Sequence, residues 1–474
     1  MAKVSTFGAI TTFGGDELVY LVDDPAGTPV DAKSTVDSLT THFQAGVNKV
    51  PTGGTTSQVL SKVDGTNYNV TWTTPSAGGG GGIQESLGFM SEDAGTFSGF
   101  CSVHGTISSG ADGGVVLQAL IDHCSNYVGG TGHRGGRIHL GVDEVLVTAP
   151  VVGRAVDVGG TTSSTTVWPL HLTGNGVLPR PSAISGEIGG TIIRWNSGSV
   201  PTGTYQAVLD LSDDCHGWMI DDMAIDGGTV APKCAVSAGR RVVWTRCQFR
   251  HPLQAGFVAI GTPSAAVTVG AGLLVTNGSD ASSDRYVQQR VINCDFIGSS
   301  GGIGLIILDM DSGSSCTDGR IEDVQMNGCN DGGVYIGEGG WGLRGGHLTM
   351  NATGGNRDWG LYMDAGFLHV AGLYVDVVPL GANIYVGNNN FTITGCFMIA
   401  NNKGTNNTYP FIDLNGSSGS VVGNTWGGLS NTVNYFVDRS NVNSVIVGNS
   451  GPSGSIGTSV INGATTNTDF NLSY

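Results

Sequence analysis

A short motif recurs through the second half of this 474-residue chain: apolar, two small or polar residues, apolar, any residue, apolar. It runs through Ile220, Met223 and Ile225, then Trp244, Cys247 and Phe249, then Val291, Cys294 and Phe296. Copies headed by Ile321, Leu343, Val370 and Ile393 follow, with weaker copies at Val421 and Ile446. Successive heads lie 24, 47, 30, 22, 27, 23, 28 and 25 residues apart, and the gap of 47 reads as about two periods. Self-similarity at a period of about 20–50 residues marks a repeat architecture. The spacers are β-rich and helix-poor, so each unit reads as one coil of a parallel β-helix.

A second series supports the register. The triplets Val334-Tyr335-Ile336, Leu361-Tyr362-Met363 and Ile384-Tyr385-Val386 each precede the next motif head by nine residues. One turn of the coil is therefore of fixed length, while the other is free to carry loops. Strand side chains alternate, so the flanking apolar residues point inward and the tyrosines outward. The outward tyrosines Tyr335, Tyr362 and Tyr385 can form a subunit interface, stack sugars or stand as isolated surface residues. An apolar ladder along the axis suits a threefold interface best.

Composition fits a solenoid. The chain has 79 glycines, and only 12% of its residues are charged. Gly and Asn supply the turn conformations that every corner needs. No Gly-X-Y period exists, which excludes collagen, and the periodic apolar residues argue against disorder. No stretch of about 18 apolar residues suggests a membrane span, and the N-terminus lacks a secretory pattern. Net charge is 21 − 38 = −17, so no nucleic-acid footprint is expected, and without an apolar span no membrane insertion is expected. Of nine cysteines, Cys247, Cys294 and Cys396 share one inward ladder position and read as small core hydrophobes. No CxxC pair exists, and the scattered histidines show no metal spacing, so no metal site or cofactor is expected. Reduced core cysteines fit assembly in a cytosol.

The chain divides unevenly. Residues 1–77 carry strand-like runs, including one on each side of Asp64-Gly65, a hairpin signal. Residues 78–82 are five glycines, a flexible linker. Residues 83–134 hold one helix, within 112–128, placed to cap the open edge of the first coil. Residues 135–450 form the coils, and 451–474 a C-terminal cap or tail.

Helix, Gly-Gly strand, hairpin, the segment Leu170-His-Leu-Thr-Gly174 and then coils resemble the start of the pectin-lyase-like right-handed β-helix of phage tailspikes, over roughly residues 100–450. The segment from Gly53 to Trp72 is similar to a module of phage tail-fibre and receptor-binding proteins. The segment from Leu18 to Val36 resembles the head of phage structural proteins. The resemblance implies an all-β chain: a right-handed parallel β-helix, a single-stranded solenoid, with a capping helix and a small β-rich N-terminal virion-attachment module. It further implies a homotrimer of the virion tail, assembled in the bacterial host cytoplasm. Residues 1–77 would bind phage tail or baseplate proteins, and the β-helix would bind host cell-surface polysaccharide. Two alternatives stay open: a polysaccharide depolymerase, hydrolase or lyase, on the same fold, and a purely structural spike or head fibre.

Glycan hydrolysis needs two carboxylates, about 5–5.5 Å apart for retention and roughly 6.5–9.5 Å for inversion. Adjacent coils are spaced by about 4.8 Å, so outward carboxylates on neighbouring coils qualify. The richest acidic stretch runs from Asp309 through Asp311 and Asp318 to Glu322. Its loop, 309–319, and a longer insertion read at 261–290 should wall one cleft. Asp309, Asp311 and Glu322 are the candidate catalytic residues; Asp318, Asp295, Trp341 and Trp359 are the candidate glycan contacts. The same stretch also reads as solvated turns, or as a loop that can hold a structural cation between Asp309 and Asp311. Glu322 beside Arg344, and Asp222 beside Arg246, read as ordinary ladder ion pairs. No Ser/His/Asp elbow, P-loop or HExxH is present, and no calcium-plus-arginine constellation of a pectate lyase emerges.

Overall fold

The computed structural model describes residues 86–125, 135–154, 169–176, 190–212, 215–253, 269–276, 288–298, 302–308, 317–329, 331–337, 339–349, 359–376, 381–399, 409–415, 418–427, 433–440, 443–452, 456–462 and 472–473, and the backbone of four earlier strands. Residues 1–81 form one unit and residues 82–474 another. In the first unit, Leu18–Val22 pairs antiparallel with Asp31–Thr35, and Val59–Lys62 with Val70–Thr73. The second pair flanks the expected hairpin signal; Asp64 and Gly65 themselves lie outside the described residues.

The second unit is a parallel β-helix. One coil shows the plan: Ile303–Ile307 on a first face, Gly319–Glu322 on a second, Gln325–Asn327 on a third. The next coil repeats it with Gly332–Ile336, Gly340–Arg344 and His347–Thr349. Each strand pairs in parallel with its counterpart one coil on. Two long strands, Leu361–Ala371 and Ile384–Thr394, run from the first face into the second and join both into one sheet.

The motif heads form a single inward column. Ile220 pairs with Trp244, Trp244 with Val291, Val291 with Ile321 and Ile321 with Leu343. The column continues through Val370, Ile393, Val421 and Ile446. Ile138 and Leu172 extend it towards the N-terminal end. Every member is fully buried. Burying such a side chain contributes about 1.5–3 kcal/mol, so the column is a main source of stability.

The motif itself is a bent strand pair. Its head and second residue end the second-face strand, its fourth residue points inward at the corner, and its fifth and sixth lie in the third-face strand. The bend sits at the third residue, which has positive φ in all of the copies: Asp222, Arg246, Asn293 and Asp323 at 51–55°, then Gly345, Gly372, Gly395, Gly423 and Gly448 at 61–67°. Only a residue that tolerates the left-handed region fits there, which is why that position is small or polar in sequence. The fourth position holds Cys247, Cys294 and Cys396, all buried. Burial pushes the Cys396 thiol up to about 11 and the Cys247 thiol well above its ordinary value, as expected of core thiols. In the last coils asparagine replaces them. Asn424 and Asn449 are buried and bond backbone groups of neighbouring coils at 2.8–3.0 Å.

One expectation needs correcting. Trp244 and Val291 are register neighbours, so the 47-residue spacing is one coil, not two. The segment read as a loop at 261–290 contains a first-face strand, Ala271–Val275. All five of its residues are buried, including both Leu273 and Leu274. A strand covered on both sides loses the alternation that marks a half-exposed one.

The N-terminal end is closed by a meander and a helix. Ser86–Asp93, Thr96–Cys101 and Gly105–Gly110 pair antiparallel in sequence. The first of them also pairs in parallel with Gly136–Leu140, covering the edge of the first coil. Helix α1 (Gly113–Cys124) starts at Asp112, whose carboxylate accepts from the Val115 amide at 3.1 Å, a standard N-cap. It buries Val116, Leu117, Leu120, Ile121 and Cys124. The close approaches of Gly99 to Val116 and of Gly114 to Val147 let it settle on the strands.

Candidate functional site

Outward residues of the second face stand in columns, because each strand is in register with the next. One column runs Val243, Arg290, Arg320, Gly342, His369. The parallel one runs Thr245, Ile292, Glu322, Arg344, Ala371. Arg241, Gln288 and Asp318, from the turns leading into these strands, rim the same surface. These three, the whole first column, and Glu322 and Arg344 of the second line an open groove of about 630 Å³. Gly342 forms a notch in its floor: a Cβ there would meet nothing within 4 Å.

The groove is locally basic in an acidic chain. Arg241, Arg290, Arg320 and Arg344 face Asp318 and Glu322, which leaves 4 − 2 = +2 from these six residues. Among the described residues, no carboxylate lies within ion-pair distance of Arg290, Arg320 or Arg344, and Arg241 hydrogen-bonds Gln288 at 3.1 Å. One column over, the pattern differs. Arg246 is held by Asp221 and Asp222, each at 2.6 Å. That pairing holds Asp222 below the usual carboxylate range, its hydrogen bond from Arg246 being the main cause. Thus the expected ion pair at Asp222 forms, whereas Glu322 and Arg344 are register neighbours that make none. Exposed guanidiniums presented in rows, without carboxylate partners among the described residues, match carboxylates and phosphates.

The candidate residues scatter. Asp318 and Glu322 line the groove. Asp309 and Asp311 lie outside the described residues. Asp295 does not share a cleft with Glu322: the bends at Asn293 and Asp323 put it on the third face, in a smaller cleft of about 310 Å³ with Gln325, His347, Thr349 and Asp376. There the Gln248 amide donates to Asp295 at 3.3 Å. Trp341 is a core residue, 2% exposed, with its ring lying where a Cβ on Gly319 would be; it has no free face for a sugar. Trp359 is 5% exposed and packs on the outer side of the first face.

That outer side carries the tyrosines in register. Its column reads Val236, Leu274, Ile306, Tyr335, Tyr362, Tyr385, Asp413, Asp438. Tyr335 and Tyr362 stack at 5.3 Å, and Tyr362 and Tyr385 at 4.4 Å. Tyr335 is buried beside Trp359, at 5.8 Å between ring centres, so Tyr362 and Tyr385 carry the accessible part of the stack.

The arginine columns do not stand out in the sequence, where the acidic stretch 309–322 is denser in charge. Their signal is present: Arg290 and Arg320 each directly precede a motif head, Val291 and Ile321, a position the alternation turns outward.

No family model matches this chain, and no curated protein does. Solved structures include similar ones. Full-length tailspike protein 2 of an Escherichia coli O157:H7 bacteriophage gives a TM-score of 0.43 at 12% identity, covering 71% of this chain and 40% of that one. A tailspike of Acinetobacter baumannii bacteriophage Fri1, described as a capsular polysaccharide depolymerase, gives 0.39 at 12% identity, covering 74% and 59%. The matches thus span about half the length of those chains.

Proposed function

We propose that this chain is a bacteriophage tail spike or fibre protein that recognises a host cell-surface glycan, and that the glycan lies along the second-face groove. The observation that carries the reading is the set of arginines, Arg290 and Arg320 in one column and Arg344 in the next, without carboxylate partners among the described residues, beside a notch at Gly342. An extended polymer suits this surface, because the rows repeat at the coil spacing of about 4.8 Å, close to the length of one sugar unit. The guanidiniums select acidic over neutral chains. The resemblances of Gly53–Trp72 and of the entrance to the coils supply the phage context. In this reading residues 1–77 attach to tail or baseplate proteins, and three copies associate through the first face around Tyr362 and Tyr385. Incubation of purified protein with acidic and neutral surface polysaccharides, with retention measured against salt, tests it. Binding that is acidic-selective and falls with salt supports it; indifference to glycan charge overturns it.

A second reading, cleavage as well as binding, is favoured by one observation: Asp318 and Glu322 line the same groove as the arginines. A depolymerase that hydrolyses its chain commonly uses a carboxylate pair at the bound sugar. Sizing the polysaccharide after incubation separates the two readings. Shortened product that disappears in Asp318→Asn or Glu322→Gln supports cleavage; unchanged length leaves a binding protein.

A further inference from the structure

We propose that the cap of the β-helix holds a structural zinc ion, with Cys101, His104 and His123 as ligands and Cys124 as the fourth donor. These residues come from two elements that the cap must join. Cys101 ends the strand Thr96–Cys101, and His104 stands in the turn that follows. His123 and Cys124 form the last turn of α1. The donor atoms of Cys101, His104 and His123 all lie within 4.8 Å of one another. Nδ1 of His104 faces Nε2 of His123 at 3.1 Å, with the rings edge-on at 84°. Tetrahedral zinc places nitrogen and sulfur donors roughly 3.3–3.8 Å apart, so small side-chain movements suffice for these three, whereas Cys124, which lies outside that group with its sulfur under Gly88, would have to turn towards the ion to complete the shell.

The surroundings suit a cation bound through sulfur and imidazole. The Cys101 sulfur accepts from the backbone amides of Val103 and His104 and contacts the Cys124 thiol. Amide bonds to a sulfur in a turn of this length orient a thiolate ligand and stabilise its charge. Cys101 and Cys124 are fully buried, His123 is half-buried and His104 is exposed, so the site has a protected sulfur side and an imidazole side open to solvent. The C-terminal end of α1 adds its negative dipole end. Two thiols and two imidazoles form the donor set of closed structural zinc sites, whereas magnesium and calcium take oxygen ligands. The pattern in sequence is Cys-x-x-His followed at a distance by His-Cys. A search for Cys-x-x-Cys passes over it, and His104 and His123, 19 residues apart, show no spacing that foretells the contact.

The ion would tie the meander to α1 where both close the first coil. Cys124 also sits beneath the edge strand, with its sulfur 3.1 Å from where a Cβ on Gly88 would be. The inference is independent of glycan binding and stands or falls without it.

The test uses the full chain purified without added chelator. Metal analysis should give about one zinc per chain. Exchange with cobalt should produce thiolate-to-cobalt charge-transfer absorption and tetrahedral d–d bands. Cys101→Ser should abolish the charge-transfer band. His104→Ala, at an exposed position that folding tolerates, should weaken cobalt binding by about tenfold or more. A strong chelator should lower the melting temperature of the wild type but not of His104→Ala. Substoichiometric zinc together with no cobalt–thiolate absorption overturns the proposal. So does a Cys101–Cys124 disulfide in the purified protein, detected by peptide mass.

Discussion

Arg290 and Arg320 are register partners on adjacent coils, with both side chains exposed on the outer side of the second face. Like charges placed directly opposite in a sheet repel, and here no carboxylate among the described residues divides them. Such a pair suits a ligand that brings its own negative charge. Arg320→Ala should therefore leave stability unchanged or raise it by about 0.5 kcal/mol, while weakening glycan binding. Thermal melts and binding isotherms on the same preparation check both. A loss of stability would make the arginine a structural residue instead.

Asp413 and Asp438 continue the tyrosine column as register neighbours. Burial, and then the Asp438 charge, push the Asp413 carboxyl up to about 6. The folded chain therefore binds a proton more tightly there than the unfolded one, so stability falls as pH rises between the ordinary carboxylate range and about 6, and the full cost is present above that. Asp413→Asn should stabilise by about 1 kcal/mol at pH 7.5, a figure reduced for solvent screening. At pH 4.5 the gain should largely vanish. Melts of both proteins across this range give the answer; an equal gain at both pH values would assign the effect to something other than this proton.

The bend positions allow a clean backbone test. Gly423 has φ of 66° and space for a Cβ, with nothing within 4 Å. Gly423→Ala should cost about 1–2 kcal/mol from the left-handed conformation alone. Asn293→Gly, at φ of 52°, should gain up to about 1 kcal/mol. Chemical denaturation of the two variants measures each; opposite signs are expected.

Assembly is tested at Tyr362, the middle ring of the stack and half-buried in the single chain. If three copies meet there, Tyr362→Asp brings three charges to one interface and should shift sedimentation from trimer towards monomer. A wild-type chain that sediments as a monomer would remove the interface from the account.

Much of the fold was legible because its core is periodic. Ile321, Val324 and Met326 are inward in sequence pattern and buried in the structure, and the αL bend explains why Asp323 between them is polar. Legibility failed where covering is two-sided. Ala271–Val275 shows no alternation, so its sequence reads as loop and the one long coil as two. Trp341 looked like a sugar platform because aromatic type does not reveal direction; its register with core residue Leu368 does. The groove was missed for a related reason. Arginines one coil apart are about 20–30 residues apart in sequence, and only the register places Arg290, Arg320 and Arg344 together.

The central claim, that the second-face groove takes an acidic glycan, is most directly tested on an array carrying uronate- and sialate-bearing chains beside neutral ones, with retained ligands re-measured after carboxyl reduction. The account predicts binding to an acidic subset, lost on reduction and lost in the double variant Arg290→Ala/Arg320→Ala. Equal binding of reduced and native chains, or full binding by the double variant, would contradict it.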